Sequence, residues 1–103
     1  MRITGLAVLS PAHLPRADFH AIEANILRAV SAGGRRHLDH HGIAVETHAY
    51  GLFMHTGMVL DDERPEGVSA ELWRILGDAE LQGCDWVLFD RDEPVDPSLP
   101  RFT

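Results

Sequence analysis

The stretch Trp86-Val87-Leu88-Phe89-Asp90-Arg91-Asp92-Glu93-Pro94-Val95-Asp96 decides how this chain folds. Four consecutive large apolar residues predict a strand over Asp85 to Phe89, and the acidic, proline-broken continuation predicts its stop. Side chains alternate across a strand, so Trp86 and Leu88 share one face and Val87 and Phe89 the other. Such a strand needs cover on both faces. One pair can meet helices. The other needs the C-terminal tail, a second subunit or a partner, because exposed apolar area of that size is a signature of interfaces.

Immediately upstream, Ser69 is a good N-cap, and Leu72, Ile75, Leu76 and Ala79 recur at helical spacing up to Gly83. The N-terminal half repeats the strand–helix alternation. Ile3 to Leu9 is short and almost wholly apolar and predicts a buried strand stopped by Ser10-Pro11. A helix then begins near Pro15 to Asp18. Its stripe is Phe19, Ile22, Ile26 and Val30, with Asp18 early, Arg28 late and Gly33-Gly34 as its C-cap. Arg35 to His41 reads as a polar, histidine-rich connector. Ile43 to Thr47 alternates as an edge strand, and a turn near His48 to Gly51 returns the chain into Leu52 to Thr56. Gly57 to Val68 is an acidic loop, and the tail beyond Pro94 is expected to run extended over the surface.

The order strand-helix-strand-strand-helix-strand predicts an α+β fold of the ferredoxin-like, split βαβ kind. It has a four-stranded antiparallel sheet with two helices on one face, and a single domain over residues 1–103. Phe19, Ile22, Ile26, Leu72, Ile75 and Leu76 are the residues expected to be buried against that sheet.

Charge adds information about partners. The formal net charge is −7. Segment 61–66, with Asp61, Asp62, Glu63 and Glu66 against Arg64, and segment 85–96, with Asp85, Asp90, Asp92, Glu93 and Asp96 against Arg91, together account for all of it. Such loops repel phosphate backbones and attract basic surfaces, which disfavours direct nucleic-acid binding. Every basic residue is arginine. The longest apolar runs are strand-sized, so no membrane span is expected. The start has no signal-peptide pattern, and the single cysteine, Cys84, rules out an internal disulfide; a cytoplasmic location is the expectation.

Candidate chemistry is sparse. A strand running into Asp90-x-Asp92 is how haloacid-dehalogenase phosphatases begin, but in those enzymes a large α/β core follows. The short remainder here predicts a carboxylate-rich turn instead. His37-x-Asp39-His40-His41 offers imidazoles and a carboxylate, yet has neither thiolate ligands nor a His-Glu-x-x-His pattern, so no metal site and no cofactor is assigned. Ser10 and His13 have no Gly-x-Ser-x-Gly elbow around them and are expected to cap the coming helix above Leu14. No catalytic residue is assigned.

Three stretches carry a family resemblance. Gly83 to Asp96 with Leu99-Pro100, Leu9-Ser-Pro-Ala-His-Leu14 and Tyr50-Gly-Leu-Phe-Met-His55 together resemble a domain-of-unknown-function family associated with bacterial plasmids and integrative elements. The resemblance implies a mobile-element setting and no catalytic residues. The expected function is a small, acidic, non-enzymatic protein-binding module, with an anti-CRISPR or anti-restriction inhibitor as its concrete form. It would meet a basic surface of a host or mobile-element protein through Asp61, Asp62, Glu63, Glu66, Asp90, Asp92 and Glu93, together with an open sheet face. A homodimer through the last strand is a further expectation. The alternatives are a metal-dependent hydrolase using Asp90, Asp92 and histidines, and a dimeric ligand-binding regulatory module.

Overall fold

A computed structural model describes residues 1–31, 37–49 and 51–103, with the side chains of 29–31 and 37 left aside. Strands β1 (Gly5–Leu9), β2 (His37–His40), β3 (Ile43–His48), β4 (Gly51–His55) and β5 (Cys84–Asp90) form one sheet in the order β1-β5-β4-β3-β2. Helices α1 (Arg16–Ser31) and α2 (Ala70–Leu81) complete the fold. The expectation of an α+β domain with two helices holds, but the four-stranded antiparallel, ferredoxin-like layout does not. β1 pairs with β5 in parallel at one edge, whereas the other three pairings are antiparallel.

The fifth strand comes out of the stretch read as a connector. His37–His40 pairs with β3, and the two-residue loop His41-Gly42 has φ of 53° and 97°. Two positive φ values in succession make the tight turn whose twist matches that of the flanking strands. Leu38 and His40 point inward and are buried. The polar composition of the stretch concealed the strand, because its second inward residue is a histidine. The Gly33-Gly34 cap, Arg35, Arg36, the side chain of Val30 and the turn residue Tyr50 lie outside the described residues.

The inward face of the sheet joins Val45, Met54, Val87 and Phe89 to Ile22, Leu72 and Leu76 in one core. Each large aliphatic side chain buried this way contributes about 1.5–3 kcal/mol. α2 follows its sequence pattern: the Ser69 hydroxyl accepts the Leu72 N–H at 3.1 Å, while Leu72, Leu76 and Ala79 face the sheet. Ile75 and Ile26 pack against the core half-buried. Phe19 corrects the phase of α1, being 39% exposed. The inward stripe is Asp18, Ile22 and Ile26, so Phe19 falls at its margin beside His20. Thr56, fully buried just after β4, places its hydroxyl 2.6 Å from Glu80 Oε2 and 2.7 Å from the Cys84 carbonyl oxygen and ties this corner of the sheet to α2.

β1 is not the buried strand its composition suggests. Ile3 precedes it and is exposed, and Leu6 and Val8 are 47% and 41% exposed. An edge strand has a neighbour on one side only, and these two side chains point away from the helices.

Candidate interaction face

The face of the sheet opposite the helices is built from alternate residues of four strands. β5 supplies Trp86 and Leu88, β1 supplies Leu6 and Val8, β4 supplies Phe53 and His55, and β3 supplies Glu46 and His48. Register places Leu6 beside Trp86 and Val8 beside Leu88. It also places His55 beside Trp86, Phe53 beside Leu88 and Glu46 beside Phe53. The rings interlock edge to face. Phe53 and Trp86 lie 6.5 Å apart at 86°, His55 and Trp86 4.8 Å apart at 85°, and His48 and Phe53 5.7 Å apart at 87°. Edge-to-face packing matches the positive rim of one ring to the negative face of the next. An open depression of about 420 Å³ lies among Thr4, Gly5, Leu6, Glu46, Phe53 and Trp86.

The C-terminal tail does not cover this face. It runs over the helix side, where Leu99 and Asp96 border a cavity with Ala7, Leu9 and Ile75. His13 holds it there. The Asp96 N–H donates to His13 Nε2 at 2.9 Å, and the ring's other nitrogen, Nδ1, donates to the Pro100 carbonyl at 2.7 Å. Phe102 N–H adds a bond to the Ala12 carbonyl at 2.7 Å. His13 is fully buried, and Ser10 caps the short 3-10 turn Pro11–His13 through Ala12 N–H, with Leu14 buried after it. The Ser-Pro-Ala-His-Leu stretch therefore makes a tail clasp.

The two acidic segments are separated. His41 lies against Gly67 and Gly42 against Met58, so the loop carrying Asp61, Asp62, Glu63 and Glu66 sits at the β2–β3 turn. That is the end of the sheet where β4 stops and β5 starts. Asp90 pairs with Gly51 at the other end, where Asp92 and Glu93 follow. Asp90 Oδ1 accepts the Asp92 N–H at 2.9 Å in a local turn. Asp85 is on the first end, bonded by the Arg2 guanidinium, which holds its carboxyl below the ordinary range. Asp61, Asp62, Glu63, Glu66 and Asp92 are exposed, and Asp90 and Glu93 half-buried.

One pair was not anticipated. His40 Nε2–H donates to Asp18 Oδ1 at 3.0 Å, and the Ser69 N–H reaches the same oxygen at 3.2 Å. Burial pushes the Asp18 carboxyl up, but bonds from His40 and Ser69 outweigh it and hold the group below its ordinary value. The signal available was Asp18 at the first inward position of α1 and His40 at the second of β2. The histidine motif itself diverges: His40 turns inward, Asp39 is exposed, and His41 lies over Gly67. Among the described residues no group of three or more His, Cys, Asp or Glu is placed to hold a metal ion. None of their helices is long and apolar enough to cross a membrane.

A family model described as "Family of unknown function (DUF5983) C-terminal domain" matches residues 6–103. No curated protein and no solved structure matches the chain.

Proposed function

The chain belongs to the DUF5983 C-terminal domain family, a family of unknown function, and from that premise we propose that it is a non-enzymatic protein-binding module. Its docking surface is the open face of the sheet. The observation that supports this is the row Leu6, Val8, Trp86, Phe53 and His55, apolar and aromatic across three strands and on the side away from the tail. Aromatic residues are enriched at the centres of interfaces, where they bring large area at low entropic cost.

The partner in this reading is a host or mobile-element protein with a basic surface. Asp61, Asp62, Glu63 and Glu66 stand at one end of the sheet, and Asp90, Asp92 and Glu93 at the other. Carboxylates at the rim speed association with a cationic surface and raise affinity less. The mobile-element setting and the anti-CRISPR or anti-restriction role belong to the same proposal. Carboxylates spaced over one molecule can stand in for DNA phosphates in a basic groove, an argument by analogy. β5 has neighbours on both sides, so a second copy would meet it through its side chains rather than along its edge.

The test is affinity capture from the native host with three baits: the wild type, a Phe53→Ser/Trp86→Ser variant, and a variant reversed at Asp61, Asp62 and Glu63. A protein held by the wild type, lost with the first variant and weakened with the second is the expected result. Equal capture by all three folded baits contradicts the reading.

A further inference from the structure

We propose that the open edge of β1 pairs antiparallel with β1 of a second copy, about a two-fold axis at Ala7. The inference concerns the edge of the sheet and stands apart from the reading of its open face as a docking surface. β1 ends the strand order, with β5 as its one strand neighbour among the described residues. A strand in that position turns a row of N–H and C=O groups outward without partners in the sheet. The tail does not supply partners. Its Phe102 N–H bonds the Ala12 carbonyl, and Asp96 and Pro100 bond the His13 ring, all in the turn that follows β1. Gly5, Leu6 and Val8 stay exposed along the strand.

Natural sheets guard such edges with charge, proline or shortness. The opposite edge is guarded: β2 has four residues, and Asp39 stands exposed on it. β1 is not. From Ile3 to Leu9 there is no charged residue and no proline, and the guanidinium of Arg2 is engaged by Asp85. The bulge in the β1–β5 pairing falls on β5, where Asp85 is the extra residue, and Leu6 to Leu9 keep an unbroken register.

Unpaired backbone groups call for an extended strand as the occupant. The side chains favour this same strand. Antiparallel pairing centred on Ala7 sets Leu6 of each copy opposite Val8 of the other on the open face. It sets Ala7 opposite Ala7 and Gly5 opposite Leu9 on the other face. Every opposed pair is uncharged. Opposed residues have Cβ atoms about 4.5–5.5 Å apart, so Leu6 and Val8 touch across the axis. The two open faces then run on into one another, from Trp86 through Leu6 and Val8 to their symmetry mates. A two-fold closes the contact and covers the unguarded edge of both copies. The pairing is weak, because one short strand makes a small interface. The formal charge of −7 on each copy opposes it, so added salt strengthens it.

The experiment is sedimentation equilibrium of the full chain at low and at moderate salt, from about 10 μM to about 1 mM, a span suited to small interfaces. A monomer–dimer equilibrium that tightens with salt is expected. Leu6→Lys/Val8→Lys sets like charges opposite one another and should weaken it by about tenfold or more. A folded Phe53→Ser/Trp86→Ser variant should dimerise within about twofold of the wild type, since those rings lie off the edge. In a mixture of isotope-labelled and unlabelled wild-type chains, intermolecular NOEs should join Leu6 to Val8. That measurement needs no variant, so it decides the matter if the lysines perturb the fold. A monomer throughout at both salts, or a dimer without the Leu6–Val8 NOEs, overturns the proposal. So does a dimer unmoved by the lysines in a folded variant, or one lost with Phe53→Ser/Trp86→Ser, which assigns the contact to stacked faces. Species larger than a dimer, which a closed two-fold does not allow, overturn it too. The docking reading fails separately, when a Phe53→Ser/Trp86→Ser bait captures its host partner unchanged.

Discussion

Asp18 and His40 form a buried pair, 3.0 Å apart and each 1% exposed, that fastens the start of α1 to the end of β2. Because Ser69 N–H shares Asp18 Oδ1, the cap of α2 is held by the same carboxylate. Removing one partner leaves the other buried without its bond. Asp18→Ala should therefore cost about 3–5 kcal/mol, measured by urea unfolding. An Asp18→Leu/His40→Leu double variant should cost less than the two single changes together, since it leaves neither group unpaired.

The same carboxyl sets a pH dependence. Its native pKa lies below the ordinary 3.8. A depressed carboxyl contributes its full stabilisation above the unfolded value and loses it as pH falls through the native value. Urea midpoints should thus be level with respect to this group above about pH 5 and fall below pH 4. In Asp18→Asn that part of the acid-induced fall should be missing.

His13 joins the clasp turn to the tail through bonds to Asp96 N–H and Pro100 O. His13→Ala should free residues 94–103 and lower stability by about 1–3 kcal/mol. Amide exchange at Asp96 and Phe102 should rise by about tenfold or more, the change expected when local opening becomes about 1.4 kcal/mol easier. Unchanged exchange at both amides would refute the clasp.

Gly51 has no room for a side chain. A Cβ there would stand 1.8 Å from the Phe89 carbonyl oxygen and 2.8 Å from its carbon, both backbone atoms that cannot swing aside. Gly51→Ala should push β4 away from β5 and cost about 3 kcal/mol or more, as overpacking at a rigid site does. A melting curve indistinguishable from that of the wild type would contradict the placement.

Reversing Asp61, Asp62 and Glu63 should leave the fold intact, because all three are exposed in a loop. Affinity for a basic partner should fall by about 1 kcal/mol where the charges are partly desolvated, and the loss should shrink with added salt. Reversal at Asp92 and Glu93 acts at the other end of the sheet, so the two effects should add. Affinity unchanged from the wild type in both variants at low salt would remove the acidic segments from the interface.

Much of this was legible in the residues. α2 and β5 carry full apolar patterns with a good cap, and both lie where those patterns place them. The two-sided apolarity of β5 pointed to a second face needing the tail, a second copy or a partner, and the tail lies on the helix side instead. Three things were hidden, each for a physical reason. β2 buries His40 against Asp18, and an inward histidine paired with a carboxylate 22 residues away looks polar in a linear reading. That pairing also shifted α1, so that Asp18 took an inward place and Phe19 the margin. The parallel edge pairing of β1 with β5 depends on strand order, which periodicity does not encode. The aromatic row needed that order too. Phe53 and His55 have the right spacing for one face, but only the β4–β5 register sets them against Trp86.

The central claim is that the open sheet face is the binding surface. Calorimetry of the host protein captured by this chain, titrated against the wild type and against a folded Phe53→Ser/Trp86→Ser variant, tests it most directly. The account predicts that the double variant loses at least about tenfold in affinity, as expected when two central aromatic anchors are truncated. Affinity within twofold of the wild type would contradict it.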